Sequence, residues 1–196
     1  MHNTETVDLL EEQKRLLTKI EEDRKERLKK GEIILNTGFD QYSMESVLHD
    51  LDKVADDANI KEIKLYINSR GGRISALFPL VDWIERSKKP VSTIVLGYAY
   101  SCGAMLLLSG TKGYRKSSKR SDILIHEAST AMAHQSCTQH KHSVEYLDRV
   151  NKMLIDLIKK KTTMPTDLIK HYMESNLDIF ITPEDCLKYG LIDEII

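Results

Sequence analysis

Three short stretches carry residue types that can do chemistry together. Ala99-Tyr100-Ser101-Cys102-Gly103 follows an apolar run at 91–97 and opens a second one at 101–109. A serine at such a strand-to-helix junction stands where backbone N–H groups and the positive end of the helix dipole converge, a place that stabilises an oxyanion. The S-x-G half of a nucleophile elbow is present, with Ala99 where that motif has its first glycine. The other role open to Ser101 is that of a plain N-cap. Asn68-Ser69-Arg70-Gly71-Gly72 ends another strand pattern. A glycine pair there permits a tight turn and close approach of a ligand to backbone N–H groups, although a structural turn has the same signature. His126 closes the run DILIH, where an imidazole at a strand end can act as general base or simply pack. Spacing does not single out an acid to orient it, because the chain holds 30 carboxylates.

The surrounding pattern supplies elements to hold these residues. Apolar runs at 32–36, 61–68, 91–97 and 122–126 read as strands. Between them, helical stripes cover 43–58, 74–86 and 101–109, with Pro79 near the first turn of the second or kinking it. A long stripe follows at 143–161, then a short helix at 166–174. The tail reads strand, helix, strand over 178–196. Strands alternating with helices predict an α/β fold with a mostly parallel sheet.

Composition excludes several classes. The chain has 196 residues and a net charge of -1, with 29 basic and 30 acidic residues. Near-neutral charge argues against a nucleic-acid footprint. The basic cluster Lys112, Arg115, Lys116, Lys119 and Arg120 is read as a solvated turn. The longest apolar run, 104–108, is far below the ~18 residues a spanning helix needs, so no membrane partner is expected. Three cysteines form no disulfide framework, and no apolar signal core opens the chain; a cytoplasmic location is the expectation. His134, Cys137, His140 and His142 fall close together, but not at a standard metal-ligand spacing, so they are read as a connector and no metal or cofactor is expected.

Charge is concentrated at one end. Residues 1–30 hold 16 charged groups, eight of each sign. With no glycine or proline from 4 to 30, and with Leu9, Leu10, Leu16, Leu17, Ile20 and Leu28 on one side, this arm predicts one long amphipathic helix. Its stripe suits docking on the body or pairing with a second copy. The expected organisation is an arm at 1–30 and a domain at 31–196.

The stretches LYINSRGG, GYAYSCGAMLLLSGTKGYR, SDILIHEA and LDIFITPEDCLKYGLIDEII, in that order, resemble the proteolytic subunit of the Clp protease over about residues 31–196. The resemblance implies a ClpP/crotonase-like fold of repeated ββα units with a mostly parallel sheet, preceded here by the long N-terminal helix. It also implies a serine endopeptidase: Ser101 as nucleophile, His126 as base, Asp178 as the acid, and the Gly72 and Cys102 amides as oxyanion donors. Implied partners are polypeptide substrates, further copies of the chain in a ring, and a separate AAA+ unfoldase. The absence of a GxxxxGK[ST] phosphate loop agrees with that division of labour. Arg70 stands where the family has proline, Glu127-Ala128 where it has Gln-Pro, and Leu177 where it has a ring-contact arginine. The segment 129–142 is longer and lacks the usual Gly-rich strand, so this is a divergent member. Two other functions share the fold: a catalytically silent scaffold or partner subunit, and an acyl-CoA enzyme of the crotonase group.

Overall fold

The computed structural model describes residues 2–129, 136–175 and 178–196. The arm forms one helix, α1 (His2–Lys29), closed by Gly31 at φ 75. There follow β1 (Glu32–Leu35), α2 (Gln41–Asp56), β2 (Ile63–Ser69), α3 (Ile74–Arg86), β3 (Val91–Tyr100), α4 (Cys102–Ser109), β4 (Arg115–Ser117) and β5 (Asp122–Leu124). The remainder is α5 (Cys137–Lys161), α6 (Thr166–Glu174), β6 (Phe180–Ile181), α7 (Pro183–Lys188) and β7 (Glu194–Ile195). Pro79 lies inside α3, which continues through it.

The strands make one sheet in the order β1-β2-β3-β4-β7. The long strand β3 carries β4 beside its first half and β5 beside its last three residues. Every pairing is parallel except that of β5 with β6. Strand and helix alternate singly up to α4, and β4 and β5 then precede α5 as a pair. Alternation along β2 decides which face is inside: Ile63, Leu65 and Ile67 are buried, while Lys64, Tyr66 and Asn68 between them are half-buried. Helix α4 is buried on all sides and packs on β3, so the element that begins beside Ser101 cannot shift without disturbing the core. The outer sheet face leaves Ile34 and Leu96 exposed. That is uncommon for parallel strands, which are normally covered on both faces.

Among the described residues, helix α1 is docked at its C-terminal end. There Leu28 packs against the core. Arg24 donates to both carboxylate oxygens of Asp50 on α2, at 3.0 and 2.8 Å. Leu9, Leu10, Leu16, Leu17 and Ile20 are each more than half exposed, so the apolar stripe runs on past the body. Asp50 is buried, and Arg24→Ala removes its cation. We expect a loss of about 1–3 kcal/mol in unfolding free energy by urea titration; no change would make the contact ornamental.

The basic cluster at 112–120 is not a solvated turn throughout. Part of it is strand β4, and Arg115 within it is buried at 2% exposure, paired with Asp193. The partner lies near the chain's end, out of reach of any local pattern. Among the described residues, no helix is long and apolar enough to cross a membrane.

Candidate active site

Ser101 follows β3 directly and precedes α4 at φ 54, the only non-glycine residue at positive φ among the described residues. Such a torsion costs on the order of 1–3 kcal/mol and persists only where surrounding structure imposes it. Two neighbours impose it here. The Ser101 amide donates to the Leu124 carbonyl of β5 at 2.9 Å, and buried α4 begins at the next residue. The serine occupies the N-cap place of α4, but its hydroxyl caps nothing. The N-cap alternative therefore falls; the hydroxyl lies instead within hydrogen-bonding reach of the neighbouring Cys102 thiol.

The glycine pair lies against this serine. The Phe39 amide donates to the Gly71 carbonyl at 2.8 Å, and the Arg73 amide to the Phe39 carbonyl at 2.7 Å. The Gly71 amide is held by Ser69 Oγ at 3.2 Å. These bonds fix Gly71 at φ 87 and Gly72 at φ 146, both glycine conformations. A methyl group added at Gly71 would fall 2.8 Å from Ser101 Cβ and 3.0 Å from the Cys102 nitrogen. Only glycine permits so close an approach. It brings the Gly71-Gly72 backbone and the Cys102 amide together beside Ser101. As the first helical residue, Cys102 has no intrahelical acceptor for its N–H.

The Cys102 side chain is buried, and burial pushes its thiol up to about 11, so it stays protonated. It donates to the Gly72 carbonyl at 3.2 Å. The sulfur thus helps hold the glycine turn as well as fill space.

His126 follows β5 by two residues and is half-buried; Asp178 precedes β6 by two residues and is exposed. Strands β5 and β6 are antiparallel with Leu124 opposite Phe180. Two residues further along, that register sets Asp178 opposite His126. Ser101, His126 and Asp178 therefore stand at the ends of three neighbouring strands. In the single chain they are not joined: among the described residues, no hydrogen bond links Ser101 to His126 and no ion pair links His126 to Asp178.

A cavity of about 390 Å³ opens beside Gly72, bounded by Phe39, Arg73, Ser129, Tyr146, Leu147 and Val150 among others. Helix α5 forms its far wall. It starts earlier than the sequence pattern suggests, at Cys137, behind a reciprocal Ser136–Gln139 cap. His134 and Leu177 lie outside the described residues. Among the described ones no group of three histidine, cysteine or acidic side chains is placed to hold a metal ion.

The sequence reading overlooked an aromatic row beside the site. Tyr98 and Tyr100 share one face of β3, with ring centroids 5.2 Å apart. Tyr100 meets Phe180 edge-on at 5.5 Å, and the Arg70 guanidinium lies over Tyr98 at 5.6 Å. Spacing of two along a strand was the available signal. Burial, with the Asp122 carboxylate nearby, pushes the Tyr100 phenol above its ordinary range, so it remains a donor.

A strained serine at a strand-to-helix turn, backed by glycine on a mostly parallel sheet, is an arrangement suited to nucleophilic acyl transfer. The Clp protease family profile matches residues 18–196, and the chain belongs to that family. The match begins inside α1, so the docked end of the helix falls within the shared region, ahead of the boundary at 31. An ATP-dependent Clp protease proteolytic subunit of Deinococcus radiodurans is 38% identical over 136 residues, which cover 69% of this chain and 65% of that protein, a little under two thirds of its length. The subunit of the same name from Borreliella afzelii is 38% identical over 142 residues, covering 72% and 70%. Subunit 1 from Borreliella burgdorferi is 34% identical over 171 residues, 87% of each chain.

Proposed function

We propose that the chain is a serine endopeptidase in which Ser101 attacks the peptide carbonyl, His126 carries the proton, and Asp178 orients His126. The amides of Gly72 and Cys102 hold the tetrahedral oxyanion. The observation that carries this reading is the imposed positive φ of Ser101, with a hydroxyl that makes no helix-cap bond. The cavity beside Gly72 offers room for a substrate side chain next to the scissile carbonyl.

Copies of the chain assemble into a ring that encloses the sites. The open outer face of the parallel sheet, with Ile34 and Leu96 exposed, supports burial against another copy. Folded substrates then need a separate ATPase to deliver them, in line with the names of the relatives. The chain works in the cytoplasm.

One observation favours a silent scaffold instead: the triad side chains are not joined in the single chain. A neutral fluorophosphonate probe separates the two readings. It should label the assembled protein at Ser101, with labelling abolished in Ser101→Ala. A probe that fails to label the wild-type protein at any concentration, or that labels Ser101→Ala equally, sinks the peptidase reading.

A further inference from the structure

The glycine pair is bracketed by arginines. Arg70 and Arg73 flank Gly71-Gly72, and both side chains are exposed. Among the described residues, no ion pair neutralises either of them. Arg70 rests on the Tyr98 ring, a contact that leaves its guanidinium edge free to bond. Arg73 lies nearer the chemistry. It bounds the cavity beside Gly72, and it is the only charged residue there among the described ones. The remaining walls are apolar, from Phe39, Leu147 and Val150, or bear hydroxyls, from Ser129 and Tyr146. The Asp40 carboxylate, which feels the Arg73 charge, already accepts from the Ser43 amide at 2.8 Å and faces water.

A peptide whose carbonyl oxygen sits on the Gly72 amide carries its own side chain two bonds away, within reach of this cavity. We infer that the cavity is an acidic-residue pocket: Arg73 makes this enzyme prefer peptide bonds in which the scissile carbonyl belongs to glutamate or aspartate. A cation in a half-enclosed, otherwise uncharged pocket favours a carboxylate over the isosteric amide, because the charged hydrogen bond replaces a weaker neutral one. Arg70 adds the same sign on the other side of the turn.

This inference rests on the proposed peptidase activity, and its test keeps the two apart. Short fluorogenic peptides that differ only in glutamate, glutamine, leucine or lysine at that position would be cleaved by the full-length protein. Labelling of Ser101 by the neutral fluorophosphonate would be followed in parallel. The glutamate peptide should exceed the glutamine one in kcat/KM by about 10–100-fold. Arg73→Gln should erase that preference, Arg73→Lys should keep part of it, and both variants should still be labelled at Ser101. Normal labelling with glutamate and glutamine cleaved alike, or a preference that survives Arg73→Gln, overturns the pocket and leaves the peptidase reading intact. No labelling of the wild-type protein overturns both.

Discussion

Gly71→Ala is expected to lower peptidase kcat/KM by at least about 100–1000-fold in a chain that still folds. The added methyl would meet the Tyr100 carbonyl oxygen at 2.6 Å, Ser101 Cβ at 2.8 Å and the Cys102 nitrogen at 3.0 Å, at a φ of 87 that L side chains avoid. Two of those three neighbours are backbone atoms and the third is a Cβ, so no rotamer change relieves the clash. Either the serine or the amides proposed to hold the oxyanion must move, and a shift near 1 Å in such a site costs about 100-fold. Fluorophosphonate labelling should fall in parallel while the far-ultraviolet circular dichroism is unchanged. Gly113→Ala is the matched comparison: φ is also positive, at 91, but nothing lies within 4 Å of the added methyl. It should strain a turn and leave turnover alone. A Gly71→Ala protein retaining a tenth of its activity would remove this close approach from the mechanism.

The largest stability effect belongs to a residue far from the chemistry. Asp193 accepts from Arg115 Nε at 2.8 Å and from the amides of Gly113 and Arg115 at 2.8 and 3.0 Å. The other guanidinium edge donates to the last carbonyl of α5, Lys161, at 2.8 Å. The pair therefore ties β4, the end of α5 and the chain's tail into one knot. Asp193→Asn leaves a buried guanidinium without its counter-charge, which costs about 3–5 kcal/mol, and Tm should fall by roughly 6–20 °C. Burial opposes ionisation of Asp193, but Arg115 and the two amides outweigh it and hold the carboxyl below the ordinary range. A depressed native value gives stability that is present above the unfolded value near ~3.9 and lost as the pH falls through the native one. The Tm gap between wild type and Asp193→Asn should thus be full at neutral pH and close under strongly acidic conditions. A gap that persists undiminished into strong acid would show that the charge is not its source.

How far the sequence could be read follows from the range of each interaction. The positions of Ser101 and His126 just beyond strand ends were legible because short apolar runs bounded by turn residues carry a local signal, although β5 stops at Leu124, two residues before the run does. The glycine turn was legible for the same reason. The proposed acid was not: choosing Asp178 requires knowing that β6 lies antiparallel to β5, a pairing across more than 50 intervening residues, and only the family resemblance pointed there. Arg115 was misread because a buried arginine in a basic cluster looks like its solvated neighbours until Asp193 is placed beside it. The early start of α5 had a local signal, Ser136 followed three residues on by Gln139, which hydrophobic periodicity alone passes over. The arm was read correctly as a helix. Its split into a docked and an undocked part depends on Asp50, which no pattern within the arm reveals.

The torsion at Ser101 sets the chemistry proposed for that residue against the stability of the chain. A single residue held at φ 54 gives up about 1–3 kcal/mol, out of a net folding free energy of about 5–15 kcal/mol for a typical protein. A glycine in its place would give most of that back and end any chemistry. A lineage with no use for the hydroxyl would gain stability by relaxing this one position.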